Sequence, residues 1–138
     1  MKPVITIAFL TAIVIVAAAC QNDSQVEYTR YFTAGAEIYK AHCQNCHGEH
    51  GEGLASLIPP LTDTAFIKTN LHKIPCYLQN GLKDEIKVHG KTFSGNMPAS
   101  GLAPIEIAQV LTYVSNSFGN KAGFTDNTSV AKDLSACK

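Results

Sequence analysis

Cys43-Gln44-Asn45-Cys46-His47 places two thiols three positions apart, with an imidazole directly after the second. On a helical turn, two such thiols can each add to one vinyl group of the same porphyrin. The adjacent imidazole then lies under the iron as its proximal ligand. C-x-x-C-H is the spacing of covalent haem attachment, so five residues would fix the ring, its orientation and one axial bond. A bare C-x-x-C also serves zinc sites and dithiol redox pairs. A zinc site needs a second ligand pair, and Cys76 and Cys137 are isolated and far apart in the chain. A dithiol of the thioredoxin kind follows a strand, whereas Ala34-Gly35-Ala36-Glu37-Ile38-Tyr39-Lys40-Ala41 reads as helix. One covalently attached haem is the reading taken.

The second axial position has few candidates. Met97, in Gly95-Asn96-Met97-Pro98, is the one methionine besides Met1. A thioether is a soft ligand that favours reduced iron and raises the potential, as an electron carrier requires. Pro98 restricts the residue before it and so helps to hold the sulfur in place. The competing ligands are His42, His50, His72 and His89. The first two sit too near the attachment turn to reach the opposite haem face, and the other two lie in segments with simpler explanations. His47 and Met97 are therefore the expected axial pair, with bis-histidine ligation the alternative.

Three helical patterns must position these residues. Thr33 is an N-cap signal for a helix running into the cysteines, with Ile38 and Ala41 turned to a core. A second helix is expected over residues 70–80, stopped by Gly81 and starting late or kinked because of Pro75. The third opens at Pro104, carries Ile107, Leu111, Val114 and Phe118 on one stripe, and is capped by Gly119. Between the last two, residues 86–93 alternate around His89-Gly90 and read as a short β-hairpin, which makes His89 a turn residue. Leu61, Phe66, Phe93, Leu111 and Val114 are candidate apolar walls for the haem.

The front of the chain suggests export. Lys2 is followed by an uncharged stretch, residues 3–19, that ends in Ala17-Ala18-Ala19 before Cys20. A retained span is the competing view, but this run is at the lower limit for crossing a bilayer. The segment resembles a bacterial lipoprotein signal in which Cys20 becomes the first mature residue and carries lipid. It departs from that pattern in having Ala17 three places before the cysteine, with Val16 one step earlier. The resemblance implies a chain in the periplasm or cell envelope, lipid-anchored to a membrane. In that oxidising compartment the two cysteines left over, Cys76 and Cys137, are a possible disulfide tying down the tail; two independent thiols are the other option.

Removal of residues 1–19 leaves 119 residues, enough for one small domain. It leaves 10 basic residues against 11 acidic ones, so no strong single-sign field marks the chain for nucleic acid. The expected organisation is a signal peptide at residues 1–19, a polar tether at 20–32, a haem domain at 33–119 and a C-terminal tail at 120–138.

Over residues 33–119 the chain resembles a class I c-type cytochrome. The residues carrying the likeness are Cys43-Gln44-Asn45-Cys46-His47-Gly48, Gly51-Glu52-Gly53, Pro59-Pro60-Leu61, Gly81, the hairpin at 86–93, Met97-Pro98 and the stripe from Ile107 to Phe118. The resemblance implies a mainly all-α fold of three main helices around one haem c. It also implies a close crossing of the first and last helices at Gly35 and Tyr113. A proline carbonyl should accept a hydrogen bond from His47, and the doublet leaves Pro59 and Pro60 both open. Cys76, Cys137 and the tail beyond Asn120 depart from the family pattern.

With both axial sites filled, iron has nowhere to bind substrate, so the expected function is electron transfer and not catalysis. Partners would be redox proteins, either a membrane respiratory complex or a periplasmic reductase or oxidase. They would dock weakly at a rim of Gln44, Asn45, Met97 and Ala99, with Lys91 nearby. The alternative class is a catalytic or gas-sensing haem domain in which an incoming ligand displaces Met97. A binding module without haem is the third.

Overall fold

The structure is a computed structural model. It describes the backbone of residues 2–137 and the side chains of residues 23–137, together with those of Ile7, Thr11 and Ile13. The chain forms two compact units, Met1–Arg30 and Tyr31–Lys138. The side chain of Cys20 and most of those of the expected signal peptide lie outside the described residues. Among the described residues no helix is long and apolar enough to cross a membrane.

Helix α1 (Lys2–His42) contributes to both units. Thr33 is not its N-cap but an exposed residue within it. The physical reason is upstream: residues 21–32 hold Gln, Glu and Arg, with neither glycine nor proline to interrupt a helix. A threonine caps only where the chain turns. The second unit accordingly begins to pack before residue 33. The Tyr31 ring meets Phe124 edge-on at 5.0 Å, and the Phe32 ring lies 5.2 Å from Tyr113.

The single turn α2 (Gln44–His47) follows, and after a long loop come α3 (Thr64–Asn70) and α4 (Ile74–Asn80). Pro75 falls in the first turn of α4, where its missing N–H has no intrahelical partner to lose, so the helix starts late. Strands β1 (Ile86–Val88) and β2 (Lys91–Phe93) pair antiparallel, with Ile86 opposite Phe93 and Val88 opposite Lys91. Their two-residue turn has φ of 48° at His89 and 73° at Gly90, the double positive φ that matches strand twist.

Helix α5 (Pro104–Val114) begins at the proline, and the Glu106 carboxylate accepts from the Ala103 N–H at 2.8 Å. It ends one turn before Phe118, which correspondingly lies outside the helix at φ 56°. Ser115, Asn116 and Ser117 compete with helical hydrogen bonds. The Asn116 amide donates to the carbonyls of Thr112 and Gly123, both at 2.8 Å, and so draws the chain out of the helix. Phe118 still reaches the core, 5.2 Å from Tyr39 and 5.7 Å from Tyr113 between ring centres.

The tail folds as α6 (Asn127–Ser135), capped by Asp126, whose carboxylate accepts from the Ser129 N–H at 2.9 Å. It packs on α4 and α5 through Val130, which is fully buried. Thr112 donates to the Thr125 carbonyl at 3.0 Å, and a disulfide joins Cys76 to Cys137 with their Cα atoms 5.6 Å apart. The second unit is thus mostly helical with one small two-stranded sheet. Besides the three helices expected from the sequence it holds the single turn α2 and the helices α3 and α6. Tyr39, Leu78, Ile107, Ala108, Val110 and Val130 form the shared core.

Candidate haem site

The last turns of α1 lead directly into the thiols. Cys43 N–H donates to the Tyr39 carbonyl at 2.8 Å, and the N–H groups of Cys46 and His47 return to the Cys43 carbonyl at 3.1 and 2.9 Å. This tight turn holds both sulfurs and the imidazole on one cavity. Tyr39, itself only 2% exposed, supports the turn from below by donating its hydroxyl to the Gly48 carbonyl at 2.6 Å.

The next loop folds back over His47. Gly53 N–H donates to the His47 carbonyl at 2.8 Å, and Leu54 pairs with Ile58 across a short reversal. A Cβ on Gly53 would stand 2.8 Å from the Pro59 carbonyl carbon, and Gly53 has φ 70°, so only glycine lets the two backbones come this close. The result is a contact of 3.1 Å between His47 Nδ1 and the Pro59 carbonyl. A carbonyl only accepts, so Nδ1 carries the proton and Nε2 keeps its lone pair. Of the two prolines, Pro59 makes this bond; Pro60 lines the cavity beside it.

Met97 is fixed by its own backbone. It exchanges two hydrogen bonds with Leu82, N–H to carbonyl in both directions at 2.9 Å, and the Ser100 N–H binds the Leu78 carbonyl at 2.8 Å. The loop is thereby tied to the end of α4. Cys43, Cys46, His47, Pro59, Pro60 and Met97 all line one cavity, which encloses about 1210 Å³ of empty space counting the part open to solvent. Its remaining walls are mostly apolar and include Leu61, Phe66, Phe93, Leu111 and Val114. His47 is the one histidine among its described lining residues. His72 instead meets Asp133 at 3.1 Å on an exposed surface, and His89 Nε2 lies 3.1 Å from the Thr62 hydroxyl.

Burial sets the electrostatics of these groups. Burial pushes the Cys43 thiol up to about 11, with Cys46 adding to the effect, so Cys43 stays a protonated thiol. Burial also holds His47 below the usual imidazole range, against the opposing pull of the Pro59 carbonyl, and so favours the neutral form that binds metal. Cys43 and Cys46 are both free. No cluster of three or more His, Cys, Asp or Glu that could hold a bare metal ion occurs among the described residues. Two free thiols, a neutral imidazole with one nitrogen engaged, a thioether and apolar walls fit a haem.

Sequence reasoning missed three supports. Asp63 caps α3 through the N–H groups of Ala65 and Phe66 at 3.1 and 3.0 Å, and its other oxygen takes the His89 N–H at 2.6 Å, joining hairpin to helix. The backbone bonds lower its carboxyl below the usual range, that from His89 most. An aspartate three residues before Phe66 was the available signal. Tyr39 was visible only as part of the helix preceding the cysteines. Asn120 had no signal beyond following a glycine.

Gly35 lies where α1 crosses α5: a Cβ there would sit 2.8 Å from Tyr113 Cβ and still nearer the Gln109 carbonyl. The rim residues Asn45, Lys91 and Ala99 are exposed, and Gln44 is half-buried.

Comparison with known proteins agrees with this geometry. The chain is similar to cytochrome c-552 of Thermus thermophilus, 31% identical over 91 residues that cover 62% of this chain and 69% of that protein. It is equally similar to a second cytochrome c-552, from a named strain of the same species, of which the match spans 61%. A family model described as cytochrome C oxidase, cbb3-type, subunit III matches residues 31–114, from Tyr31 in α1 to the end of α5. With Cys43, Cys46, His47 and Met97 all inside that match, the chain belongs to this family of c-type cytochromes, electron-transfer proteins that bind haem c covalently.

Proposed function

We propose that this chain is a class I, single-haem electron carrier of the cell envelope, exported and tethered through lipid on Cys20. In it Cys43 and Cys46 hold the haem, with His47 and Met97 as axial ligands. The observation that carries this reading is the convergence of two free thiols, a neutral imidazole and the Met97 side chain on one apolar cavity.

Bound haem supplies a one-electron couple at iron. Cys43 and Cys46 fix the ring covalently, and His47 presents Nε2 because Pro59 occupies Nδ1. That bond raises the basicity of the imidazole and fixes its plane. Met97 is held by Leu82 and contributes a soft sulfur that favours the reduced state. Apolar walls exclude water and penalise the more charged oxidised centre. Filled axial positions leave no place for substrate, which supports a carrier over an enzyme. The family description points to a membrane respiratory complex as donor or acceptor. Residues 20–32 would give the lipid-held domain its reach, with 33–119 as the haem domain and 120–138 as a tail that staples it.

Absorption spectra of purified protein, matured with haem-attachment machinery, test the core of this reading. A sharp reduced α band and a weak ferric sulfur-to-iron charge-transfer band are expected. Met97→Ala should abolish the second and lower the potential; an unchanged spectrum refutes Met97 as ligand. Rapid binding of carbon monoxide to the native ferrous protein would instead favour the sensing or catalytic class. An intact mass without lipid on Cys20, measured on membrane-extracted protein, would refute the tether.

A further inference from the structure

Asn120 lies beyond the stretch that matches the family model, yet it is 2% exposed and every polar atom of its side chain is used. Nδ2 donates to the Leu61 carbonyl at 2.7 Å and to the Val114 carbonyl at 3.1 Å, while Oδ1 accepts from the Thr64 hydroxyl at 3.1 Å. Those partners belong to three different segments: the loop after the attachment site, the end of α5 and the start of α3. Rotating the amide by half a turn would set oxygen against two carbonyls, so the partners fix its orientation. Its own N–H returns to the Ser117 carbonyl at 2.8 Å, which anchors the residue in the turn after α5.

Leu61 is the point of leverage. Its N–H donates to the Gly51 carbonyl at 2.7 Å, so the residue is held at both its N–H and its C=O. Pro59 lies two residues earlier on the same short, proline-stiffened segment. Its N-terminal side is held by the Leu54–Ile58 pairing, and its C-terminal side by Leu61. Proline donates no backbone hydrogen bond, so Pro59 and Pro60 cannot secure themselves. Release of the Leu61 carbonyl would free one end of the segment whose other feature is the Pro59 contact to His47.

We infer that Asn120 is a positioning residue for the proximal ligand: through Leu61 it holds the Pro59 carbonyl against His47 Nδ1 and thereby sets the haem potential. This rests on the reading of His47 as axial ligand. A hydrogen bond from Nδ1 makes imidazole a stronger donor and favours ferric iron. Weakening it therefore shifts the couple toward ferrous.

The test compares Asn120→Ala with the wild-type holoprotein. At a fixed applied potential, the ferrous-to-ferric ratio should rise at least threefold, about 28 mV at 59 mV per tenfold for one electron. The His47 Nδ1 proton should exchange with solvent faster in proton NMR. Val130→Ala serves as control, because it loosens the buried face of α6 and should lower the melting temperature without either change. Where Asn120→Ala does not accumulate, Thr64→Val removes the hydroxyl donated to Oδ1 and should move both readouts in the same direction by less. Wild-type potential and exchange rate in the folded variant, or in Thr64→Val if only that folds, overturn the inference. A wild-type holoprotein lacking any haem-bound imidazole resonance overturns it together with the ligand assignment, and so distinguishes the two failures.

Discussion

Reduction of the Cys76–Cys137 disulfide should cost this protein much of its thermal stability while leaving its haem spectrum intact. The bridge closes a loop of 61 residues in sequence. On the chain-entropy account, opening a loop of that length returns about 14 cal/mol/K to the unfolded chain, or about 4 kcal/mol at room temperature. For a unit of this size each kcal/mol moves the melting temperature by about 4 °C, so the shift should be about 15–20 °C. The spectrum is spared because no described residue beyond Val114 lines the cavity. The buried Val130 and the Thr112 bond to Thr125 keep α6 docked at room temperature without the bridge.

The assay is a pair of thermal melts followed by far-ultraviolet circular dichroism, with and without a dithiol reductant, on protein whose Cys43 and Cys46 are consumed by haem. Melting temperatures within about 3 °C of each other would refute the argument, since a stapled α6 cannot be released without raising the entropy of the unfolded chain. The double variant Cys76→Ser, Cys137→Ser should reproduce the reduced protein. A denatured, unreduced sample should show no titratable thiol at Cys76 or Cys137.

Gly35→Ala should destabilise the protein by about 1–3 kcal/mol, because the new methyl would overlap Gln109 and Tyr113 and force α1 away from α5; the denaturation midpoint reads this, and an unchanged midpoint would refute a close crossing. Asp63→Ala removes the cap of α3 and the acceptor for the hairpin turn, with an expected loss of about 1–2 kcal/mol. Because the carboxyls of Asp63 and Asp126 are held below their usual range, their stabilisation is complete above the unfolded value and is lost as pH falls through the folded one. Melting temperature should therefore drop below about pH 4, less so in Asp63→Asn, and parallel acid profiles would contradict this. Tyr39→Phe deletes the hydroxyl bound to the Gly48 carbonyl and should cost about 1 kcal/mol in urea unfolding, with no loss of haem attachment.

What the sequence made legible was the part dictated by covalent or local chemistry. C-x-x-C-H can be read because two vinyl groups demand one thiol spacing. The hairpin can be read because His89-Gly90 supplies two positive φ values in succession. Pro75 announced a late helix start because its restriction acts within one residue. The elements that escaped, α3 and α6, are seven and nine residues long, too short for a convincing apolar period. Their signals were single caps, Asp63 and Asp126, which resemble any turn aspartate until the chain is seen to coil after them. Phe118 shows the converse error: its spacing continued the α5 stripe, but Asn116 had already diverted the backbone. Periodicity identified the side chain's destination and not its conformation.

The choice between Pro59 and Pro60 exposes a different limit. Neither residue type nor spacing separates adjacent prolines, because what matters is the direction of a carbonyl, and that is set by hydrogen bonds made elsewhere. Leu54 and Ile58 pair just before the doublet, Gly53 permits the close approach, and Leu61 is held just after it. Those constraints come from two separate regions of sequence, the loop at residues 51–61 and Asn120 beyond α5. On the proposed reading, the second nitrogen of His47 is governed by Asn120, more than seventy positions away in sequence. The residues after α5, which depart from the family pattern, supply this frame on the same reading: Asn120 acts on the His47 side, while the disulfide ties α6 to α4, just past whose end Leu82 pairs with Met97.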